Sequence, residues 1–140
     1  MKRHVLMDTG PLVAFVNRKD ALHGWAKAMF GEIEAPMLTC EPVLTEVCHL
    51  LRNVPDGAET AMAFVSRGVI QAPFHLEDHT QSVRELLKKY ASVPMSLADA
   101  CLVRMSELYE GSAVFTIDRD FRIYRRHTRK AIPCFMPPST

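Results

Sequence analysis

The sequence of 140 residues contains no long hydrophobic run, and its longest interior apolar stretch is only Pro11 to Val16. A membrane-spanning helix needs about 20 apolar residues, and a signal peptide needs an apolar core of about 7 to 15. The sequence predicts neither kind of segment. We therefore expect a cytoplasmic protein that has no membrane partner.

Cysteine and glycine are too few and too scattered for several kinds of site. Cys40, Cys48, Cys101 and Cys134 form no C-x-x-C pair, so we expect small buried thiols rather than disulfides or thiolate metal ligands. The six glycines form neither a G-x-G-x-x-G nor a G-x-x-x-x-G-K-[ST] motif. Dinucleotide and P-loop nucleotide binding are therefore disfavoured.

The composition is that of an ordinary globular chain, with 48% hydrophobic and 24% charged residues. At this length we expect one domain covering residues 1–140. The net charge of +1 conceals a basic segment, because residues 119–130 contain six arginine or lysine residues and one acid. The remainder of the chain is correspondingly acidic.

Short apolar strands alternate with helices along the chain. Strands are expected near residues 3–7, 36–40, 69–72, 113–117 and 131–135. Helices are expected after Asp8, from Asp20, from Glu41, near residues 61–65, over 78–90 and from Ser96 to about Tyr109. This alternation predicts an α/β fold, a three-layer α/β/α sandwich with a short, mostly parallel sheet of four to five strands.

Four acidic residues stand where such a fold gathers ligands. Asp8 and Asp118 end two strands that should flank the point where strand order reverses. Asp99 lies in an apolar helix three residues after Ser96, so it is either a capping-box residue or a buried carboxylate that needs a partner. Glu46 lies at the margin of an apolar helix face.

A convergence of these carboxylates would require a cation or bound protons. Two carboxylates about 5 Å apart repel by about 3 kcal/mol at an effective dielectric constant near 20. Oxygen ligands favour Mg²⁺ or Mn²⁺ over zinc. Such an ion activates water and stabilises charge on phosphate oxygens, so the residues point to phosphodiester hydrolysis.

Other readings of these residues are weaker. Asp8-Thr9-Gly10 imitates the D-T-G of retroviral-type aspartic proteases, but those are all-β. An aspartyl-phosphate phosphatase would have a second Asp where Gly10 stands, and a phospho-acceptor signalling domain would have a Lys after a late strand. His75 and His79 have the spacing of a zinc pair, but no third ligand is assigned.

Four segments in order carry a family resemblance over almost the whole chain. They are Val5 to Ala14, Leu44 to Val47, Ser96 to Ala100 and Val114 to Phe121. In these segments the chain resembles the PIN-domain ribonucleases, above all the single-domain VapC-type toxins of toxin–antitoxin pairs. It departs from the pattern in Gly10-Pro11 and in an additional acid, Asp120. Asp120 is either a peripheral metal ligand or the cap of a short helix, and we favour the cap.

The resemblance implies a PIN-like fold and an endoribonuclease dependent on Mg²⁺ or Mn²⁺. The positions that match its acidic metal-binding and catalytic residues are Asp8, Glu46, Asp99 and Asp118, and those that match its supporting hydroxyls are Thr9 and Thr116. It further implies an RNA substrate, a homodimer and a cognate antitoxin that blocks the site. The alternative is a non-catalytic module that binds RNA or an antitoxin.

The basic segment follows the last acidic position directly. Its arginines Arg119, Arg122, Arg125 and Arg126 are interleaved with Phe121 and Tyr124. Cationic and aromatic side chains in this arrangement are expected to hold an RNA backbone, with a solvated surface loop as the alternative.

Overall fold

Five short strands form one parallel sheet at the centre of the computed structural model, which describes residues 3–138. The strands of these residues are β1 (Val5–Met7), β2 (Met37–Leu38), β3 (Ile70–Gln71), β4 (Ala113–Phe115), β5 (Arg125–Arg126), β6 (Lys130–Ala131) and β7 (Cys134–Phe135). The sheet order is β3-β2-β1-β4-β7, while β5 and β6 form a separate antiparallel pair. Strand order therefore reverses between β1 and β4, as the sequence predicts.

Helices connect the strands and flank the sheet. They are α1 (Thr9–Val16), α2 (His23–Glu32), α3 (Glu41–Leu50), α4 (Gly57–Ser66), α5 (Thr80–Lys89) and α6 (Leu97–Leu108). Two 3₁₀ turns cover Leu76–His79 and Arg119–Arg122. Among residues 3–138, no helix is long and apolar enough to span a bilayer.

The sheet is covered on both faces. Successive side chains of a strand point to opposite faces, and Leu6 and Met7 on β1 are both fully buried, as are Val114 and Phe115 on β4. α6 supplies much of the remaining core, since Cys101, Leu102, Val103 and Met105 are all inaccessible to solvent. The predicted α/β class and the short parallel sheet are confirmed.

The last strand completes the sheet beside β4. Its residues pair in parallel register, Cys134 with Val114 and Phe135 with Phe115. One residue further along, the backbone N–H of Thr116 donates to the Phe135 carbonyl at 3.1 Å. β7 therefore fixes the backbone just where β4 ends.

Several element limits differ from the sequence prediction for local reasons. α2 begins at His23 rather than Asp20, because the Asp20 carboxylate accepts the Leu22 N–H in a turn. The helix expected over residues 78–90 begins as the 3₁₀ turn and continues as α5. The four thiols are free, but only Cys40 and Cys101 are buried, since Cys48 and Cys134 are half-buried.

Candidate active site

Asp8 directly follows the central strand β1 and is tied to the end of β4. The two strands pair in register, with Met7 opposite Phe115, and the Asp8 N–H donates to the Phe115 carbonyl at 2.9 Å. One carboxylate oxygen of Asp8 accepts the Thr9 N–H at 2.8 Å, so the side chain caps α1. The other accepts the Thr116 hydroxyl at 2.7 Å.

Asp99 has two functions in one position. Ser96 and Asp99 form a capping box at the start of α6, in which the Asp99 N–H donates to the Ser96 hydroxyl at 3.0 Å. The Tyr124 hydroxyl donates to Oδ2 of Asp99 at 2.8 Å. Asp99 is therefore both the capping-box residue that its spacing predicts and a buried carboxylate with a partner.

Asp118 lies three residues beyond β4 and is half-buried. Its N–H donates to the Thr116 hydroxyl at 2.9 Å, so this one hydroxyl contacts both Asp8 and the backbone of Asp118. The Asp118 carboxylate accepts the Asp120 N–H and begins the 3₁₀ turn. The expectation that Asp120 is the cap is wrong, because Asp118 occupies that position.

Three carboxylates, those of Asp8, Asp99 and Asp118, influence one another electrostatically; we call them the acidic cluster. Burial raises the pKa of Asp8 from 3.8 to about 6, with smaller contributions from the negative charges of Asp99 and Asp118. Burial also raises the pKa of Asp99, and the charge of Asp118 adds to the rise. The cluster therefore resists carrying three negative charges at once.

Glu46 reaches the same region through a hydroxyl. It is exposed on α3, and its carboxylate accepts the Thr9 side-chain hydroxyl at 2.8 Å. Thr9 itself donates its backbone N–H to Asp8, so Thr9 links Glu46 to the acidic cluster. Hydrogen bonds thus connect three of the predicted acids and both predicted threonines, with Glu46 at the solvent side: they join Asp8, Thr9, Glu46, Thr116 and Asp118. Asp99 is near enough for its charge to act on Asp8, but it makes its hydrogen bonds with Ser96 and Tyr124.

The donor chemistry fits a hard divalent cation. All four acids offer oxygen ligands, which hard divalent cations prefer. Within residues 3–138 the ion pair joins Arg104 to Glu107, so no arginine or lysine of this range forms an ion pair with the acidic cluster. In the same part of the chain, no three His, Cys, Asp or Glu side chains are arranged to hold an ion as they stand.

Close packing against Ile117 explains why a glycine follows Thr9. A Cβ atom at Gly10 would collide with the Ile117 side chain, immediately before Asp118. The first turn of α1 thus packs directly on the segment that carries Asp118. This contact excludes a larger residue unless Ile117 moves.

The predicted RNA-binding arginines separate into two pairs. Arg119 and Arg122 are exposed on the 3₁₀ turn that Asp118 caps, next to the acidic cluster. Arg125 and Arg126 lie on β5 and donate to backbone carbonyls: Arg125 to that of Arg122 at 2.7 Å and Arg126 to that of Ser112 at 2.8 Å. The guanidinium groups of the second pair thus hold local structure.

Tyr124 is the site residue that sequence reasoning missed. Its ring is fully buried and packs edge-on against Phe121 and Tyr90. Burial and the bonded Asp99 carboxylate raise the pKa of its hydroxyl, which stays protonated as a donor. The signal in the sequence is an aromatic residue within the basic segment, and that pattern predicts an RNA-binding surface rather than a buried partner of Asp99.

Comparisons with known proteins agree with this architecture. The family model described as the PIN domain matches residues 5–126. Among solved structures, the chain is similar to the VapC20 toxin of Mycobacterium tuberculosis, which is described as cleaving the sarcin–ricin loop; the identity is 26%, the TM-score is 0.66, and the match covers 73% of this chain and 80% of the toxin. Among curated proteins, none matches the sequence.

Proposed function

Since the chain belongs to the PIN-domain family, we propose that it is an endoribonuclease that hydrolyses RNA phosphodiester bonds with the help of Mg²⁺ or Mn²⁺. The observation that carries the proposal is the acidic cluster at the reversal point of the sheet, where Asp99 and Asp118 add to the raised pKa of Asp8. A divalent cation bound by these acids and Glu46 would activate water and stabilise negative charge on the phosphate.

The remaining residues position the acids. Thr116 and the Thr9 N–H occupy one oxygen of Asp8 each, and Tyr124 fixes one oxygen of Asp99. Hydrogen bonds of this kind orient metal-binding carboxylates, and their loss costs about 10- to 100-fold in affinity or activity. The exposed guanidinium groups of Arg119 and Arg122 lie where they would contact an RNA phosphate.

The biological setting is part of the same proposal. The resemblance to VapC-type toxins supports a cytoplasmic toxin of a toxin–antitoxin pair, which acts as a homodimer and is blocked by a cognate antitoxin. Light scattering of the purified chain would test the dimer. Co-purification with the product of a neighbouring short reading frame would test the antitoxin.

A cleavage assay with purified protein tests the enzyme. The chain should cut a labelled RNA when Mn²⁺ or Mg²⁺ is present and stop when a chelator is added. Asp8→Asn and Asp118→Asn should lower the rate by about 100-fold or more, because outer contacts alone are worth about 10- to 100-fold. Asp78→Asn, an exposed carboxylate on the other 3₁₀ turn, is the matched control and should cut like the parent.

Two results would contradict the proposal. One is an Asp8→Asn protein that cuts as fast as the parent. The other is a parent chain that binds RNA but never cuts it with either metal, which would indicate a binding module.

A further inference from the structure

A cavity of about 500 Å³ lies where α1 ends, α2 begins and α4 passes. We call it the helix cleft. The residues of its lining that matter here are Phe15, Arg18, His23, Lys27, Thr60 and Phe64. None of the residues assigned to the acidic cluster lines it, so the cleft is a separate site.

The helix cleft is cationic. Arg18 and Lys27 are exposed, and the residues that line the cleft include no Asp or Glu. Lys27 follows His23 by one helical turn, so both lie on the same side of α2. The two side-chain charges favour an anionic ligand.

His23 is held in place at the entrance. Its Nδ1 lies 2.9 Å from the Ala14 carbonyl. Because a carbonyl can only accept, Nδ1 carries the proton. This hydrogen bond fixes the imidazole ring against the end of α1. The cationic side chains of the lining, Arg18 and Lys27, are left to contact a ligand.

Two aromatic rings also line the cleft, those of Phe15 and Phe64, and we call them the phenylalanine wall. Phe15 and Phe64 are half-buried, with ring centroids 5.7 Å apart and planes tilted by 34°. Phe15 is in turn stacked on Phe30, with centroids 4.2 Å apart. Stacking on Phe30 fixes the orientation of Phe15, which shares the lining of the cleft with the cationic groups.

We infer that the helix cleft binds a nucleotide of the RNA strand away from the bond that is cut, with phosphate on Arg18 and Lys27 and a base against the phenylalanine wall. The inference rests on the proposed function for the identity of the strand. Guanidinium and ammonium groups match phosphate, and aromatic faces stack bases of any sequence. An acidic peptide would satisfy the cations but would make no comparable use of the rings.

The helix cleft lies within reach of an RNA strand bound at the acidic cluster. The acidic cluster repels the RNA backbone, so affinity comes from cationic side chains around it, and those of the helix cleft would add to Arg119 and Arg122. α1 starts at the Asp8 cap and ends at the cleft, a length of about 12 Å for its eight residues. A strand of a few nucleotides would reach from one to the other.

The test measures binding separately from cleavage. In an Asp8→Asn background, Arg18→Ala with Lys27→Ala should weaken anisotropy-measured binding of a fluorescein-labelled single-stranded RNA by about tenfold. The slope of log affinity against log salt should become shallower by about 1.4, the value for two lost phosphate contacts on a single strand. In the active background, KM should rise while kcat stays unchanged.

The matched control removes the same charge elsewhere. Arg84 and Lys88 are exposed on α5 and have the same four-residue spacing as His23 and Lys27. Arg84→Ala with Lys88→Ala should retain the affinity and the salt slope of the parent. Both double variants change exposed side chains, so both should unfold like the parent in urea.

The outcomes are distinct. Equal RNA affinity of the two double variants would overturn the inference, and so would a cleft variant that loses affinity for a polyglutamate peptide but keeps its affinity for RNA. Failure of the proposed function has a different signature, since a chain that never cuts RNA can still lose RNA affinity when Arg18 and Lys27 are changed. That result would support RNA binding by the helix cleft and contradict the proposed ribonuclease activity.

Discussion

The Thr116 hydroxyl donates to the Asp8 carboxylate at 2.7 Å and joins residues 108 positions apart in the chain. The same oxygen accepts the N–H of Asp118 at 2.9 Å. Thr116 is completely buried, so water cannot replace either bond. A single hydroxyl thus sets the positions of two carboxylates of the acidic cluster.

Replacing Thr116 with Val should therefore affect stability and activity together. The valine side chain keeps the shape of threonine but leaves the Asp8 oxygen and the Asp118 N–H without the hydroxyl partner. This loss should lower the free energy of unfolding by about 1–3 kcal/mol. The bond lowers the pKa of Asp8, so its loss should raise that pKa further. Urea unfolding and the pH dependence of cleavage are the measurements. Thr116→Ser retains the hydroxyl and should retain the pH profile.

The metal-free protein should lose stability as the pH rises through about 6. The pKa of Asp8 is about 6 in the folded chain against 3.8 as the ordinary value, so the folded state binds the proton more tightly. That stabilisation, of order 3 kcal/mol, is fully present below pH 3.8 and is lost as the pH rises through 6. Asp8→Asn cannot ionise, so its free energy of unfolding in EDTA should fall less between pH 4 and 7. Parallel curves for the two proteins would contradict this explanation.

Divalent cations should stabilise the parent chain against heat. A cation relieves the repulsion within the acidic cluster, and binding at 100 times its Kd adds about 2.7 kcal/mol to the free energy of unfolding. The Tm should rise with Mn²⁺ or Mg²⁺ and return to its starting value with EDTA. Asp118→Asn should show a much smaller rise, whereas Asp78→Asn should behave like the parent. An equal rise in all three proteins would place the cation elsewhere.

Removing the Tyr124 hydroxyl should impair activity more than folding. Tyr124→Phe keeps the buried ring but removes the shorter of the two hydrogen bonds to Oδ2 of Asp99, and leaves that of the Ser96 N–H at 3.5 Å. We therefore expect a loss of about 10- to 100-fold in kcat. The pKa of Asp99 should rise, because the hydrogen bond lowers it. Tyr90→Phe is the control: its hydroxyl accepts the Arg125 N–H, away from the acids. An unchanged kcat and pH profile in Tyr124→Phe would show that the bond only supports folding.

Gly10→Ala tests the close packing beside Asp118. The added Cβ displaces the Ile117 side chain, which is partly exposed and can turn away, so the stability cost should stay within about 1–3 kcal/mol. Asp118 follows Ile117, and a shift of about 1 Å near reacting groups costs up to 100-fold in rate. Adding Ile117→Ala should restore most of kcat. If the double variant is no faster, the space around Gly10 is not the cause.

The sequence predicts the fold class and the placement of Asp8 well, because both follow from local rules. Alternating strands and helices lead to a parallel sheet, and a carboxylate after a buried strand lies at its carboxyl edge. The capping box of Asp99 is equally local, since Ser96 lies three residues away. These features require no knowledge of distant contacts.

Long-range contacts account for what the sequence did not reveal. Tyr124 meets Asp99 only because the 3₁₀ turn after Asp118 folds back over α6. The sequence does not distinguish Arg126 from the other basic residues of its segment, because its hydrogen bond to the Ser112 carbonyl joins distant parts of the chain. Asp118 and Asp120 are both good caps by composition, and the turn geometry selects the first.

β7 carries none of the four acids, yet it supports the site through the backbone of Thr116. Phe135 accepts the N–H of Thr116, whose hydroxyl in turn holds Asp8. A truncation that ends before Cys134 would unpair the outer edge of β4 and release Thr116 from one side. The smallest active fragment should therefore extend past Phe135, because the Phe135 carbonyl holds the backbone of Thr116.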